Sequence, residues 1–340
     1  MTTPVSDAGR RLRLALVGCG AIARWHLTAL AAAAPRTSVT AVVDVDLARA
    51  VALAQETGAD PFDSLEAAVA GGHFDAVLVM VPHHRHEAVT VEALRAGKHV
   101  LLEKPLASTL ESAERIVQAA REAATVVLVA ENAQYWPEVL VAGRCLEAGA
   151  VGEVITARAW HCSPPVEQFV GPGHWRFSVA AAGGGVAIDV GAHWIRPLRM
   201  WLGEMVEVVA ATGRPYEDME GESMCRALCR FDSGVVASFD AVLTPGPVAP
   251  LPLFQITGSR GELVIDTLGR VKLYDGSDPR GEVVGQGNYL QSYEGQIAAF
   301  EAAVLDGVAA AAPAEYALGE LRAALAMYRS ARSGRWEAVW

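Results

Sequence analysis

The chain has 340 residues, 39 of them acidic and 28 basic, for a formal net charge of −11, with 52% hydrophobic and 20% charged residues. That length predicts about two domains, the acidic balance offers no basic stripe for nucleic acid, and the apolar content is too high for a disordered chain. No segment approaches the roughly 20 uninterrupted apolar residues of a membrane span, and five scattered cysteines without a CxxC pair point to a reducing, cytoplasmic setting.

Met1 to Arg10 is polar and lacks an apolar h-region, so it reads as a flexible tail and not a signal peptide. Leu12 to Val17 is a short apolar run closed by Gly18, the pattern of a buried parallel strand. Ala21 to Ala33 reads as a helix ended before Pro35. Val39 to Val45, Phe74 to Val81, His99 to Leu102 and Val126 to Ala130 are further strands, with helices at Leu47 to Glu56, Glu87 to Ala96 and Leu110 to Ala123. This alternation predicts an α/β Rossmann domain with a doubly wound parallel sheet over residues 11–131.

Past Glu131 the rhythm changes. A helix is predicted over Glu138 to Ala148, a strand over Val154 to His161, a Pro- and Gly-rich loop over Ser163 to Gly173, and a long helix over Gly185 to Leu202. Six strands follow: Val206 to Thr212, Ser223 to Phe231, Val235 to Val242, Phe254 to Thr257, Glu262 to Asp266 and Val271 to Tyr274. Short turns such as Asp232-Ser233-Gly234 join them, which predicts a large, mostly antiparallel open sheet in an α+β domain over residues 132–340. Helices at Ser292 to Asp306 and Ala314 to Ser333 close the chain, and Cys225 and Cys229 share one strand face as core residues. Such a sheet must cover its second face, which predicts a homodimer or homotetramer joined through it.

Gly18-Cys19-Gly20-Ala21-Ile22-Ala23 spells G-x-G-x-x-A between the first strand and the first helix. The first glycine permits the tight turn, and the second lets backbone approach a pyrophosphate drawn by the helix N-terminus. The small third residue lets helix and strand pack. Asp44 ends the second strand, where a carboxylate accepts hydrogen bonds from ribose hydroxyls and repels a 2′-phosphate, favouring NAD over NADP. Arg49 nearby pulls the other way.

Gly97-Lys98-His99-Val100-Leu101-Leu102-Glu103-Lys104-Pro105 resembles the GKHVxxEKP motif of the Gfo/Idh/MocA oxidoreductases. Gly18 to His26 resembles that family's GxGxxAxxH, Pro82 to His86 its P-N-x-x-H, and Gly183 to His193 its GGGxxxDxGxH. Tyr316 to Arg335 resembles its C-terminal helix and ending, so an ordered set of motifs spans nearly the whole chain. The resemblance implies hydride transfer between a nicotinamide and a hydroxyl or keto carbon of a sugar, cyclitol or related polyol. It maps the catalytic set onto Lys104, Asp189 and His193, and implies a cis Lys104–Pro105 bond. It also implies that Pro82, His83, His86 and Glu103 face the cofactor, and that Tyr135, Trp175 and Arg176 line the substrate pocket. Gln134-Tyr135-Trp136-Pro137 departs from the usual run there, and Arg196 stands where the family commonly has Asp.

On the predicted helix, Asp189 and His193 lie four apart and share one face. Lys104 leaves a strand end, where open α/β sheets bind ligands. His193 suits a general base because imidazole titrates near neutrality. Lys104 suits stabilisation of a developing alkoxide, and it becomes the base instead if burial lowers its pKa. Only three lysines occur, Lys98, Lys104 and Lys272, and two of them sit in the identifying motif. His83-His84-Arg85-His86 lacks the partners of a metal site, so no metal is expected. Glu167 is the sole charge of the loop from Ser163 to Trp175, which favours an unphosphorylated substrate unless Arg158 or Arg176 clamps a phosphate. Two other readings stay open: an NAD-dependent glycoside-cleaving enzyme that oxidises, eliminates and re-reduces, or a non-catalytic NAD-sensing regulator.

The Asp44 argument predicts tighter binding of NAD than NADP. Titration of both cofactors checks it, and a lower Kd for NADP contradicts it.

Overall fold

The computed structural model describes residues 9–166 and 173–340, so most of the expected tail and Glu167 lie outside the described residues. The first part of the chain runs β1 (Leu12–Val17), α1 (Ala21–Ala33), β2 (Thr37–Val43), α2 (Leu47–Thr57), β3 (Asp60–Phe62), α3 (Leu65–Gly71) and β4 (Ala76–Val79). It continues through α4 (His86–Arg95), β5 (His99–Glu103), α5 (Leu110–Glu122) and β6 (Val127–Ala130). These six strands form one sheet in the order β3-β2-β1-β4-β5-β6, and every pairing in it is parallel. Helices on both faces bury β4 and β6 completely, which is why these two read as unbroken apolar runs.

Next come α6 (Pro137–Glu147), β7 (Val154–Ser163), α7 (Val179–Ala182), α8 (Ala192–Leu202), β8 (Met205–Gly213), β9 (Met224–Phe231) and β10 (Val236–Leu243). The chain closes with β11 (Phe254–Gly258), β12 (Glu262–Ile265), β13 (Arg270–Tyr274), β14 (Glu282–Gln286), α9 (Tyr289–Asp306), α10 (Ala314–Ser333) and β15 (Glu337–Ala338). The second sheet has the order β14-β13-β12-β11-β7-β10-β9-β8-β15 and is antiparallel except where β7 meets β10. β9 alternates strictly, with Cys225, Ala227, Cys229 and Phe231 inward and Arg226, Leu228 and Arg230 outward, so both cysteines are core as expected. All five cysteines are free thiols, and among the described residues no helix is long and apolar enough to cross a membrane.

Five short elements escape the sequence reading, among them the four-residue α7. β3 has three residues with Pro61 among them at a sheet edge, and β15 has two. α3 is seven residues long and is capped by Ser64, whose Oγ accepts from Ala67 N–H at 3.3 Å. β14 carries no alternation, with an exposed–exposed–intermediate run. α9 returns to the first sheet and packs on α1 and β1. Its Glu301 accepts from Thr37 Oγ1 at 2.6 Å, and Asp306 beyond it takes both Arg36 Nη atoms at 2.8 and 2.6 Å.

The long helix expected over Gly185 to Leu202 starts only at Ala192. Gly183 has φ +90°, and a Cβ there would lie 2.1 Å from Ser108 O. A Cβ on Gly185 would lie 1.9 Å from Glu222 O, and the Glu222 carboxylate takes the Gly185 and Ala187 N–H groups, each at 2.9 Å. The three glycines therefore let the protein's own backbone close up, and residues 186–190 form turns ahead of the helix. Asp189 sits on that turn and His193 on the helix, so the expectation of one shared helix face is corrected.

α8 is anchored by ions. Arg196, fully buried, pairs with Glu320 of α10 at 2.7 and 2.9 Å and also donates to Gln134 Oε1. Arg199 joins the same carboxylate and reaches Glu204 at 2.6 Å. Removing the shared carboxylate leaves fully buried Arg196 without a carboxylate partner and takes one of two from Arg199, so Glu320→Ala is expected to cost about 3–5 kcal/mol in urea unfolding. A loss under about 1 kcal/mol, typical of an exposed pair, contradicts that role.

Candidate active site

The functional groups gather at the carboxyl ends of the first sheet's strands, where the parallel topology leaves a crevice. Gly18 follows β1 with φ +101°, and a Cβ there would sit 2.6 Å from Met80 O, so only glycine fits. Gly20 caps α1 without a side-chain hydrogen bond, and a Cβ on it meets nothing within 4 Å. α1 carries no acidic residue in its first turn, so its N–H groups face open space suited to a pyrophosphate. Asp44 holds this loop: Oδ2 accepts from Cys19 N–H at 2.8 Å and Oδ1 from Asp46 N–H at 2.9 Å. Arg49 turns to Asp46 at 3.3 Å. Ala21 is exposed at the helix start, and Ile22 lines the cavity described below.

Lys104 follows β5 and precedes a cis bond to Pro105. Its Nζ donates to Asp189 Oδ1 at 2.8 Å and to Asp189 O at 3.0 Å. Arg176 Nε reaches the other carboxylate oxygen at 3.2 Å, and His83 Nε2 stands 4.0 Å from Oδ1. Burial disfavours the ammonium of Lys104, but the Asp189 and Glu131 carboxylates outweigh it, and its pKa is raised. Burial also works against the Asp189 carboxylate, yet Lys104, Arg176 and His83 hold its pKa far below the ordinary value.

His193, at the second position of α8, meets Glu131, which directly follows β6. The His193 Nδ1 to Glu131 Oε1 distance is 2.5 Å, and Oε1 also accepts from Ala133 N–H at 3.0 Å. Burial opposes the Glu131 charge, but His193 and Lys104 bring its pKa below normal. A carboxylate at Nδ1 fixes the proton there and leaves Nε2 free to act. The sequence reading missed Glu131, although it occupies a strand's carboxyl end just as Lys104 does.

Lys104, Arg176, Asp189 and His193 share one cavity of about 900 Å³, lined also by Asn132, Trp136, His161, Trp194 and Tyr289. His161 ends β7 and was not singled out by sequence; burial pushes its pKa down to about 4, so it stays neutral. Glu103 lines the cavity too, accepting from Lys104 N–H at 3.1 Å and contacting buried His26 Nε2 at 2.6 Å. Pro82 caps a short helical turn over His83–Arg85. His83 is buried with Nδ1 against Ala182 O at 3.0 Å and its ring edge-on to Trp175 at 4.6 Å.

Three expected contact residues lie outside the cavity lining. His86 is fully buried, with its ring nitrogens facing Pro105 O at 2.9 Å and Val81 O at 3.0 Å, so it pins the loop bearing Lys104. The Tyr135 ring packs on Gly295, and Trp136 lines the cavity in its place. Trp175 lies between His83 and Arg176, whose guanidinium is 4.4 Å from its ring, and so supports the arginine that lines the cavity. Arg158 is 4.7 Å from the Trp160 ring and does not line the cavity. Among the described residues no group of His, Cys, Asp and Glu suits a metal ion.

Comparison with known proteins agrees with this layout. Residues 12–131 match the model of an oxidoreductase family with an NAD-binding Rossmann fold, and residues 139–264 match the GFO/IDH/MocA C-terminal domain. A 1,5-anhydro-D-fructose reductase of Ensifer adhaerens is 32% identical, covering 95% of this chain and 97% of that protein. An inositol 2-dehydrogenase of Corynebacterium glutamicum is 35% identical over 47% of this chain and 48% of its own. The WlbA dehydrogenase of Chromobacterium violaceum, solved with NADH and UDP-GlcNAcA, is 26% identical and superposes with a TM-score of 0.86 over 99% of both chains. With both family models matched along the chain and a relative of 32% identity covered over nearly its whole length, the chain belongs to the GFO/IDH/MocA oxidoreductase family.

Proposed function

We propose that the chain is an NAD-dependent oxidoreductase acting at a hydroxyl or keto carbon of a sugar, cyclitol or related polyol. The observation that carries this reading is a cavity lined by Lys104, Asp189 and His193, in which the lysine is paired with Asp189 and the histidine is backed by buried Glu131. Asp189 keeps Lys104 an ammonium, while Glu131 holds His193 with Nε2 free. The relatives' names, a sugar reductase and an inositol dehydrogenase, support the substrate class.

NAD, when bound, would supply the two-electron acceptor; Gly18, Cys19, Gly20 and the start of α1 would hold it, and Asp44 would accept from its ribose hydroxyls. In the oxidation direction His193 Nε2 takes the hydroxyl proton, and the Glu131 carboxylate stabilises the imidazolium that forms. The Lys104 ammonium donates a hydrogen bond to the reacting oxygen and stabilises its developing negative charge. The raised pKa of Lys104 argues against its serving as the base. Arg176 keeps Asp189 ionised and so keeps Lys104 in place. In the reduction direction the proton returns from His193. The complete set of buried acid–base groups disfavours a non-catalytic sensor, and net formation of NADH separates this reading from redox-neutral glycoside cleavage.

His193→Ala and Lys104→Met are each expected to lower kcat by about 10²–10⁴. Glu131→Gln is expected to lower kcat with little change in KM, because it removes the carboxylate behind His193 and weakens the charge support of Lys104, while both side chains that line the cavity remain. Steady-state kinetics on a sugar and cyclitol panel with NAD checks this. Near-full turnover in His193→Ala alongside loss in Lys104→Met would exchange the two roles.

A further inference from the structure

The cavity changes character along its length. Its deep end carries the nearly buried Lys104, Asp189, Glu103 and His193, with Asn132 beside them. Its mouth is built from three separate segments. Val166 follows β7, Val248 and Leu251 come from the link between β10 and β11, and Leu268 comes from the turn between β12 and β13. These four side chains are exposed by 52, 41, 41 and 63% respectively. Single apolar residues on a surface need no explanation, but convergence of three segments on one mouth does. Pro164 and Pro250 extend the same wall.

The cations of the described lining are Lys104 and Arg176, and Asp189 binds both. The mouth therefore offers no side-chain clamp for a diphosphate, although a structural neighbour was solved with a nucleotide sugar. Glu138 also lines the cavity, adding an acidic side chain that would repel phosphate. A free hexose or cyclitol would satisfy the deep end and leave the apolar wall facing water.

We infer that the preferred substrate is a polyol ring bearing an apolar substituent, such as an alkyl or aryl glycoside. The ring sits at Lys104 and His193, and the substituent lies against Val166, Val248, Leu251 and Leu268. This rests on the reading of the site as a polyol oxidoreductase and specifies which polyols it takes. Each buried methylene is worth about 0.8 kcal/mol, or roughly a fourfold change in affinity.

The test uses the NADH-loaded full chain and glucose, methyl, propyl, butyl and phenyl glucosides, and UDP-glucose, with binding read by calorimetry. The expected result is a Kd that falls about fourfold per added methylene, with the phenyl glucoside tighter than the methyl one and UDP-glucose no tighter than glucose. Leu251→Asp is expected to flatten the series, while Val308→Asp, at an exposed apolar position outside the cavity lining, keeps it. A flat series in the parent protein, no binding by any alkyl glucoside, or tightest binding by UDP-glucose overturns the inference. Binding is read without turnover, so a chain-length gradient with no NADH formed when the same glucosides are mixed with the chain and NAD would count against the oxidoreductase reading alone. Turnover with a flat series would count against this inference alone.

Discussion

The Asp189 carboxylate sets the charge pattern of the site. It holds Lys104 through one oxygen and Arg176 through the other, and it stays ionised although nearly buried because three basic groups surround it. A lone buried ammonium would shed its proton; one facing two carboxylates keeps it. Removal of Asp189 therefore changes more than one contact. It releases the arginine and alters the protonation of the lysine.

The scaffold spends much of its buried polar chemistry on fixing that carboxylate. Gly183 to Gly185 have no Cβ because Ser108, Tyr328 and Glu222 press against them, and the Glu222 carboxylate takes two of the turn's N–H groups. The turn is thereby held against the loop carrying Lys104 and against α10. His86 fastens the same loop from below through Pro105 O and Val81 O. On the other side, Arg196 ties α8 to Glu320 and to Gln134, one turn from His193. A single apolar core runs from the first sheet through α5 and α10 into the second sheet, so the two halves that build the site are packed together.

Much of this was legible in the sequence where local pattern carried it. The parallel strands read as apolar runs, β9 as an alternation, and Lys104, Asp189 and His193 as members of motifs. Long-range constraints were not legible. Asp189 looks helical by spacing, yet the turn leading to it gives its Gly185 and Ala187 N–H groups to Glu222, 37 and 35 positions away in the chain, and the helix starts later. Tyr135 and Trp136 are adjacent aromatics, and nothing local says that Gly295 receives the first while the cavity receives the second. Glu131 could have been found, since it occupies the same kind of strand-end position as Lys104. The role of Arg196 depended on Glu320, 124 residues away, and lay beyond any local rule.

The central claim is a division of labour: Lys104 stays charged and donates, while His193 exchanges the proton. The pH dependence of kcat/KM for polyol oxidation, measured in the parent chain and in His193→Ala and Lys104→Arg, tests it most directly. The account predicts that the parent loses activity on the acid side as His193 takes up a proton. It also predicts that this limb disappears in His193→Ala and persists in the residual activity of Lys104→Arg. A limb that persists without His193 and vanishes with the lysine replacement would make Lys104 the base and contradict the account.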